Sequence, residues 1–165
     1  MIKKPELMRF LRQEFRLDWH GIHGASHWAR VRLNGLSMAK VNGAREDVVE
    51  LFALLHDSRR EHDGHDLQHG PRAADFIAGL NGDYFDLEPT GLEMLVHACR
   101  HHSDGMMEAD VTIQTCWDAD RLDLARVGIW PDPKRLCTAA AREMEFLEQA
   151  IERSLGRLSS TGLES

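Results

Sequence analysis

Apolar positions recur every three or four residues along most of the chain, the period of helices packed on one side. Leu7, Leu11 and Phe15 set the first stripe, over about Lys4 to Phe15. Pro5 suits its first turn. Residues 17–24 hold two glycines and read as a loop. Ser26 is a fair N-cap for a second helix running to Val41, striped by His27, Val31, Asn34, Met38 and Val41, and Asn42-Gly43 is a helical stop. From about Arg45 a third helix carries Val48, Leu51, Phe52 and Leu55. Its turn Leu51-Phe52-Ala53-Leu54-Leu55 is apolar all round, the mark of a central helix, and it ends on His56-Asp57. A polar loop over residues 58–70 follows. Further helices are expected over Pro71–Leu80, Pro89–His102 and Ile113–Val127. The stretch Val111 to Trp117 is β-rich in propensity but keeps helical spacing. Leu136, Ala140, Met144, Leu147, Ile151 and Leu155 predict a last helix from Asp132 or Pro133, ended by Gly156.

The pattern gives an all-α fold, a compact single-domain bundle of about seven helices over residues 1–157. Residues 158–165 are small and polar and are expected to form a disordered tail. A length of 165 residues fits one domain with its own core. An apolar fraction of 42% and a charged fraction of 28% are ordinary for a globular protein. No run approaches the roughly 18 apolar residues of a membrane span, and the first residues alternate charge with Leu, Met and Phe, unlike a signal peptide. The expectation is a cytoplasmic protein with no membrane partner. A formal net charge of −7 argues against polymeric nucleic acid as a partner, while leaving room for a local basic pocket. Cys99, Cys116 and Cys137 are odd in number and far apart, and read as buried reduced thiols.

Histidine changes the picture. Ten occur, all within residues 20–102. His27 lies on an apolar stripe, where an unpaired imidazole is costly. Adjacent His56-Asp57 ends an apolar helix. Asp118 and Asp120 lie between Val111, Ile113 and Trp117 on one side and Leu122 and Leu124 on the other. Carboxylates facing a core need a cation or hydrogen-bond partners. Imidazoles and carboxylates together suit a divalent transition metal such as Mn, Fe, Co, Ni or Zn better than Ca or Mg.

The order His27, then His56-Asp57, then Asp120 resembles the H…HD…D signature of the HD superfamily of metal-dependent phosphohydrolases. The local contexts are similar too: His23-Gly24-Ala25-Ser26-His27-Trp28-Ala29-Arg30-Val31, then Leu54-Leu55-His56-Asp57, then Asp118-Ala119-Asp120-Arg121-Leu122-Asp123. Together they span roughly residues 23 to 126. The resemblance implies an HD-like helical fold around one or two metals, with His27, His56, Asp57 and Asp120 as ligands, and hydrolysis of a phosphoester or phosphoanhydride, often of a nucleotide. It favours Asp120 over Asp118 as the fourth ligand. It does not name the substrate.

Other residues widen the candidate site. In two-metal members, extra histidines fall between the His-Asp pair and the last Asp. His69, His101 and His102 sit in that order, which would make Asp57 a bridge. The same histidines could instead contact a substrate phosphate or move a proton. One ion is expected and two are allowed. Asp57 is also the residue placed to orient or deprotonate the water, and Arg59, with Arg60 behind it, to pair with a phosphate. His23, His97 and Asp118 are secondary candidates. Arg121 reads as an ion-pair partner for a carboxylate. His20, His62 and His65 read as solvated loop residues, and the four tryptophans as core and pocket-wall residues. The leading function is a phosphohydrolase acting on a small phosphorylated molecule such as a nucleotide by a metal-activated water. The alternatives are a di-iron oxygenase and a non-catalytic nucleotide-binding regulatory module.

Overall fold

A computed structural model describes residues 1–158. Eight α-helices follow one another: α1 (Lys4–Glu14), α2 (Ala25–Asn42), α3 (Glu46–Leu55), α4 (His69–Ala78), α5 (Pro89–His101), α6 (Val111–Arg121), α7 (Ala139–Arg142) and α8 (Met144–Ser154). Short 3-10 turns cover Leu124–Val127 and Pro133–Arg135. Among the described residues the only extended pairing is two isolated bridges, Ile2 with Phe85 and Asn81 with Phe85. The fold is all-α, as the apolar periodicity requires. No described helix is long and apolar enough to cross a membrane. The expected tail lies outside the described residues, apart from Leu158.

The centre of the bundle is α3. Val48, Val49 and every residue from Leu51 to Leu55 are buried, so beyond its first turns the helix is surrounded. α2 and α6 flank it, and α4 pairs with α5 against them. Two glycines set how closely these helices approach. A Cβ on Gly35 of α2 would stand 2.5 Å from Val49 Cγ1. A Cβ on Gly70 of α4 would stand 2.8 Å from the carbonyl oxygens of Cys99 and Arg100 in α5. Gly35, a modest fault by helix propensity, is therefore a packing requirement between α2 and α3. The Trp117 indole N–H donates to Ala98 O (3.1 Å) and ties α6 to α5.

Four helices differ in their bounds from the sequence pattern. α2 starts on a Gly24 N-cap, so Ser26 falls inside its first turn. α4 begins at His69 rather than Pro71. The expected helices Ile113–Val127 and Asp132–Leu155 are both interrupted. α6 runs from a cap at Asp110, whose side chain accepts from Thr112 N, and stops at Arg121. Further on, Thr138 caps α7 by accepting from Ala141 N, and Glu143 caps α8 by accepting from Glu145 N and Phe146 N. Each cap restarts the helix, so one apolar period is carried by separate pieces. Asp118 anchors this segment. Its carboxylate accepts from Cys137 N (2.7 Å), Thr138 N (2.8 Å) and Thr138 Oγ1 (2.8 Å). On α8, Ser154 Oγ donates to Asp123 O (3.0 Å) and accepts from Arg126 N (2.9 Å).

Cys99 and Cys116 are buried and free, and Cys137 is partly buried. Burial pushes the Cys99 and Cys116 thiols above their ordinary range.

Candidate metal centre

Four histidines and two aspartates converge between α2, α3, α4, α5 and α6. His27 comes from the first turn of α2, His56 from the C-cap of α3, and Asp57 follows it. Asp120 lies near the end of α6, His69 opens α4, and His102 caps α5. His27, His56, His69, His102 and Asp57 are all buried.

Each imidazole is held by its Nδ1 and turns Nε2 inward. His27 Nδ1 donates to Asp123 Oδ2 (2.7 Å), His56 Nδ1 to Phe52 O (3.1 Å) and His102 Nδ1 to Cys99 O (2.6 Å). His69 Nδ1 donates to Asp66 O. A carbonyl or carboxylate acceptor fixes the proton on Nδ1 and leaves the Nε2 lone pair free. The inward nitrogens then meet in pairs. His27 Nε2 stands 3.1 Å from His56 Nε2, and His69 Nε2 stands 2.8 Å from His102 Nε2. Two lone pairs in that position repel unless a proton or a metal ion lies between them.

The carboxylates complete two clusters. Asp57 Oδ2 is 3.5 Å from His27 Nε2 and 3.6 Å from His56 Nε2. Asp120 Oδ1 is 3.3 Å and 3.6 Å from the same two nitrogens. Asp57 Oδ1 turns the other way, 3.3 Å from His69 Nε2 and 3.5 Å from His102 Nε2. Donors about 2.1 Å from one ion stand roughly 3.0–3.4 Å apart in octahedral or tetrahedral geometry, so the donor spacing fits metal ligation. Both groups, His27-His56-Asp57 and Asp57-His69-His102, can hold a metal ion.

The charge states follow from the same geometry. Burial disfavours a charged His27, but hydrogen bonds with Asp120, Asp123 and Asp57 outweigh it and raise its pKa to about 10. Burial drives His56 down to about 3, beyond what Asp57 and Asp120 restore. In the second pair, burial and the neighbouring His102 lower His69. Burial works against a charged His102, but Asp57, Asp120 and the Cys99 carbonyl together outweigh it and raise its pKa. Burial alone would raise Asp57 and Asp120, yet the imidazoles around them hold both well below the ordinary carboxylate range. In the first pair His27 thus holds the positive charge that faces the carboxylates. A divalent ion answers the same electrostatic demand.

Asp57, Asp120 and His102 form part of the wall of a cleft of about 990 Å³. Arg60 reaches it with Nε on Asp57 Oδ1 (3.2 Å) and Nη1 on Gly64 O (3.1 Å). Arg126 is fixed by bonds to Ile22 O (2.8 Å) and Asp123 O (2.9 Å). His23, nearly buried, also faces the cleft, with Nδ1 2.8 Å from Asp63 Oδ1. Burial lowers its pKa more than Asp63 raises it.

Several expected site residues lie elsewhere. Arg59 stacks over Phe76 at 4.5 Å and reaches Glu14 at 3.5 Å, so Arg60 and not Arg59 lies against Asp57. The chain leaves α3 in tight turns, and Arg60 N bonds Asp57 O (3.1 Å), which returns residue 60 over residue 57. His101 turns outward to Asp104 (2.6 Å), with its ring 4.7 Å from that of His97, and neither enters the clusters. Asp118 serves the backbone of residues 137–138 instead. Among the described residues Arg121 pairs with no carboxylate. It donates to Met106 O (2.6 Å) and Arg135 O (2.9 Å). Asp123 stands in the closing motif with no role assigned to it from the sequence, yet it is fully buried and its second oxygen accepts from Arg30 Nε (2.7 Å). Its spacing of three from Asp120, matching the three between His27 and Arg30, was the available signal.

In structural comparison the chain is similar to a predicted HD superfamily hydrolase from an uncultured Thermotogales bacterium, known from a crystal structure. The TM-score is 0.71 at 24% identity, covering 94% of this chain and 88% of that one. The likeness is one of fold: this chain shares the helical fold of that predicted HD superfamily hydrolase. Within the HD fold, the H…HD…D residues of this chain are the ones that meet at the first cluster. No protein-family model matches the sequence, and no curated protein does.

Proposed function

We propose that the protein is a metal-dependent phosphohydrolase acting on a small phosphoester such as a nucleotide. The supporting observation is the pair of buried clusters sharing Asp57, with inward lone pairs, at a cleft that also carries Arg60 and Arg126. In this reading His27, His56, Asp57 and Asp120 hold one divalent transition metal, and Asp57, His69 and His102 can hold a second. Such ions, when bound, activate water and offset charge on a phosphoryl oxygen.

The chain's own residues supply the rest. Arg60 and Arg126 are already pinned by backbone carbonyls, so their charge is oriented before the phosphate arrives and needs little reorganisation. His23, with Nδ1 fixed by Asp63, offers Nε2 to the cleft. It is the side chain suited to give a proton to the leaving oxygen once a phosphate dianion strengthens its hold on that proton.

The test is phosphate release from nucleotides and small phosphomonoesters with Mn, Fe, Co, Ni or Zn, beside Asp57→Ala. Metal-dependent release that disappears in the variant is expected. A protein with verified metal content that releases phosphate from none of them overturns the reading. Four histidines around one shared carboxylate also suit a di-iron centre. Dioxygen consumption by iron-loaded protein, without phosphate release, would favour that second reading.

A further inference from the structure

The charge of the cleft opposes that of the protein. The chain carries a formal −7, yet beyond Asp57 and Asp120 the cleft presents five cations, Arg60, Arg121, Arg126, Lys134 and Arg135, and one further carboxylate, Asp132. Arg60 and Arg126 sit within ion-pair distance of Asp57 (3.2 Å) and Asp123 (3.8 Å). Arg121, Lys134 and Arg135 have no acidic partner within that distance among the described residues. Asp132 spends one oxygen on the backbone N–H of Lys134 (2.9 Å). Three cations without an acidic partner on one wall concentrate a positive potential there.

This wall is built. Arg121 directly follows the ligand Asp120, and its guanidinium spans from Met106 O to Arg135 O. It therefore fixes the segment that carries Lys134 and Arg135 relative to α6. Just before that segment, Ile129 and Trp130 line the same cleft and are 55% and 60% exposed. An indole this exposed beside a cationic wall is a platform for an apolar or aromatic body. At about 990 Å³ the cleft lies at the upper end of pockets that take molecules well beyond the size of phosphate.

We propose that Arg121, Lys134 and Arg135 form a second anion subsite. The substrate is then a phosphomonoester whose apolar or aromatic body covers Ile129 and Trp130 and carries a second anionic group, a phosphate or a carboxylate. The proposal rests on the phosphohydrolase reading for the first phosphate.

The experiment compares two matched pairs, adenosine 5′-monophosphate with adenosine 3′,5′-bisphosphate and phenyl phosphate with 4-carboxyphenyl phosphate. Both kcat/KM and calorimetric Kd are measured for the metal-loaded wild type and for Lys134→Ala/Arg135→Ala. The wild type is expected to favour the doubly anionic member of at least one pair by roughly tenfold, about what one charge-assisted hydrogen bond gives. The double variant is expected to bring that ratio close to one, mainly through KM. Whichever pair discriminates identifies the second group. A wild type that does not discriminate in either pair, or a variant that weakens all four substrates equally, overturns the subsite. If nothing is hydrolysed but the Kd preference exists and the variant erases it, the phosphohydrolase reading fails and the subsite stands.

Discussion

Replacing Asp123 by Asn isolates what a buried carboxylate behind a ligand histidine contributes. In the wild type one oxygen of Asp123 accepts from His27 Nδ1 and the other from Arg30 Nε, both at 2.7 Å. Asparagine keeps the shape but offers one acceptor oxygen and two N–H donors. Whichever way its amide turns, a donor of His27 or Arg30 faces the new NH2 group. His27 is fully buried and the Arg30 side chain 16% exposed, so the orphaned donor is poorly reached by water. A buried donor left unpaired costs about 1–3 kcal/mol. Urea unfolding of the metal-free variant should show a loss of that size. The metal effect is separate. Losing the acceptor that orients a ligand histidine weakens metal binding about ten- to a hundredfold, or about 1.4–2.7 kcal/mol. Competition with a chromogenic chelator reads this directly. Arg30→Met is the control: it removes the ion pair, keeps the His27–Asp123 bond, and should lower stability with little change in metal affinity. If Asp123→Asn lowers stability while metal affinity stays at the wild-type value, Asp123 serves Arg30 alone and its orienting role is wrong.

Gly70→Ala should push α4 from α5, because the new Cβ meets two backbone carbonyls at 2.8 Å that cannot move aside cheaply. The expected result is loss of the second metal equivalent with the first retained, read as metal content per chain. Equal occupancy in both proteins would remove His69 and His102 from the ligand set. Asp66 gives a pH prediction. Burial would raise its pKa, but hydrogen bonds from Glu61 N and Arg72 lower it to about 2. A carboxylate depressed from about 3.8 to about 2 stabilises the fold fully above the unfolded value, and that contribution, roughly 2 kcal/mol, disappears as pH falls through the folded one. Asp66→Asn should therefore lose stability at neutral pH and unfold with a shallower acid transition between pH 4 and 2. An unchanged acid limb would remove Asp66 from the source of acid lability.

What could be read from the sequence follows a physical division. The helical stripes and the placement of His27, His56, Asp57 and Asp120 on or at the ends of inner helices depend on local periodicity, which the chain carries openly. Choices between neighbours do not. Arg59 and Arg60 differ by one residue, yet the turn after α3 sends one to Phe76 and the other to Asp57. His101 and His102 are adjacent too, and about 100° of helical rotation separates a solvent-facing histidine from a buried one. Asp118 and Asp123 were harder still. Both are buried carboxylates whose partners come from distant stretches, residues 137–138 for one and residues 27 and 30 for the other. Composition marks them as needing partners, but only the fold names which.

The caps at Thr138 and Glu143, which break the last predicted helix, leave α8 free to brace the turn after α6. There Ser154 holds Asp123 and Arg126 by their backbones, while Asp118, two positions before a ligand, holds residues 137–138. Among the described residues the last quarter of the chain contributes no donor to either cluster, yet it works as the frame that keeps α6 in register. Damage to α8 should therefore look like a chemical defect. On the proposed function, a survey of inactive variants would find lesions there that no inspection of the two clusters explains, and shortening the chain from this end would loosen those clusters before it unfolded the bundle.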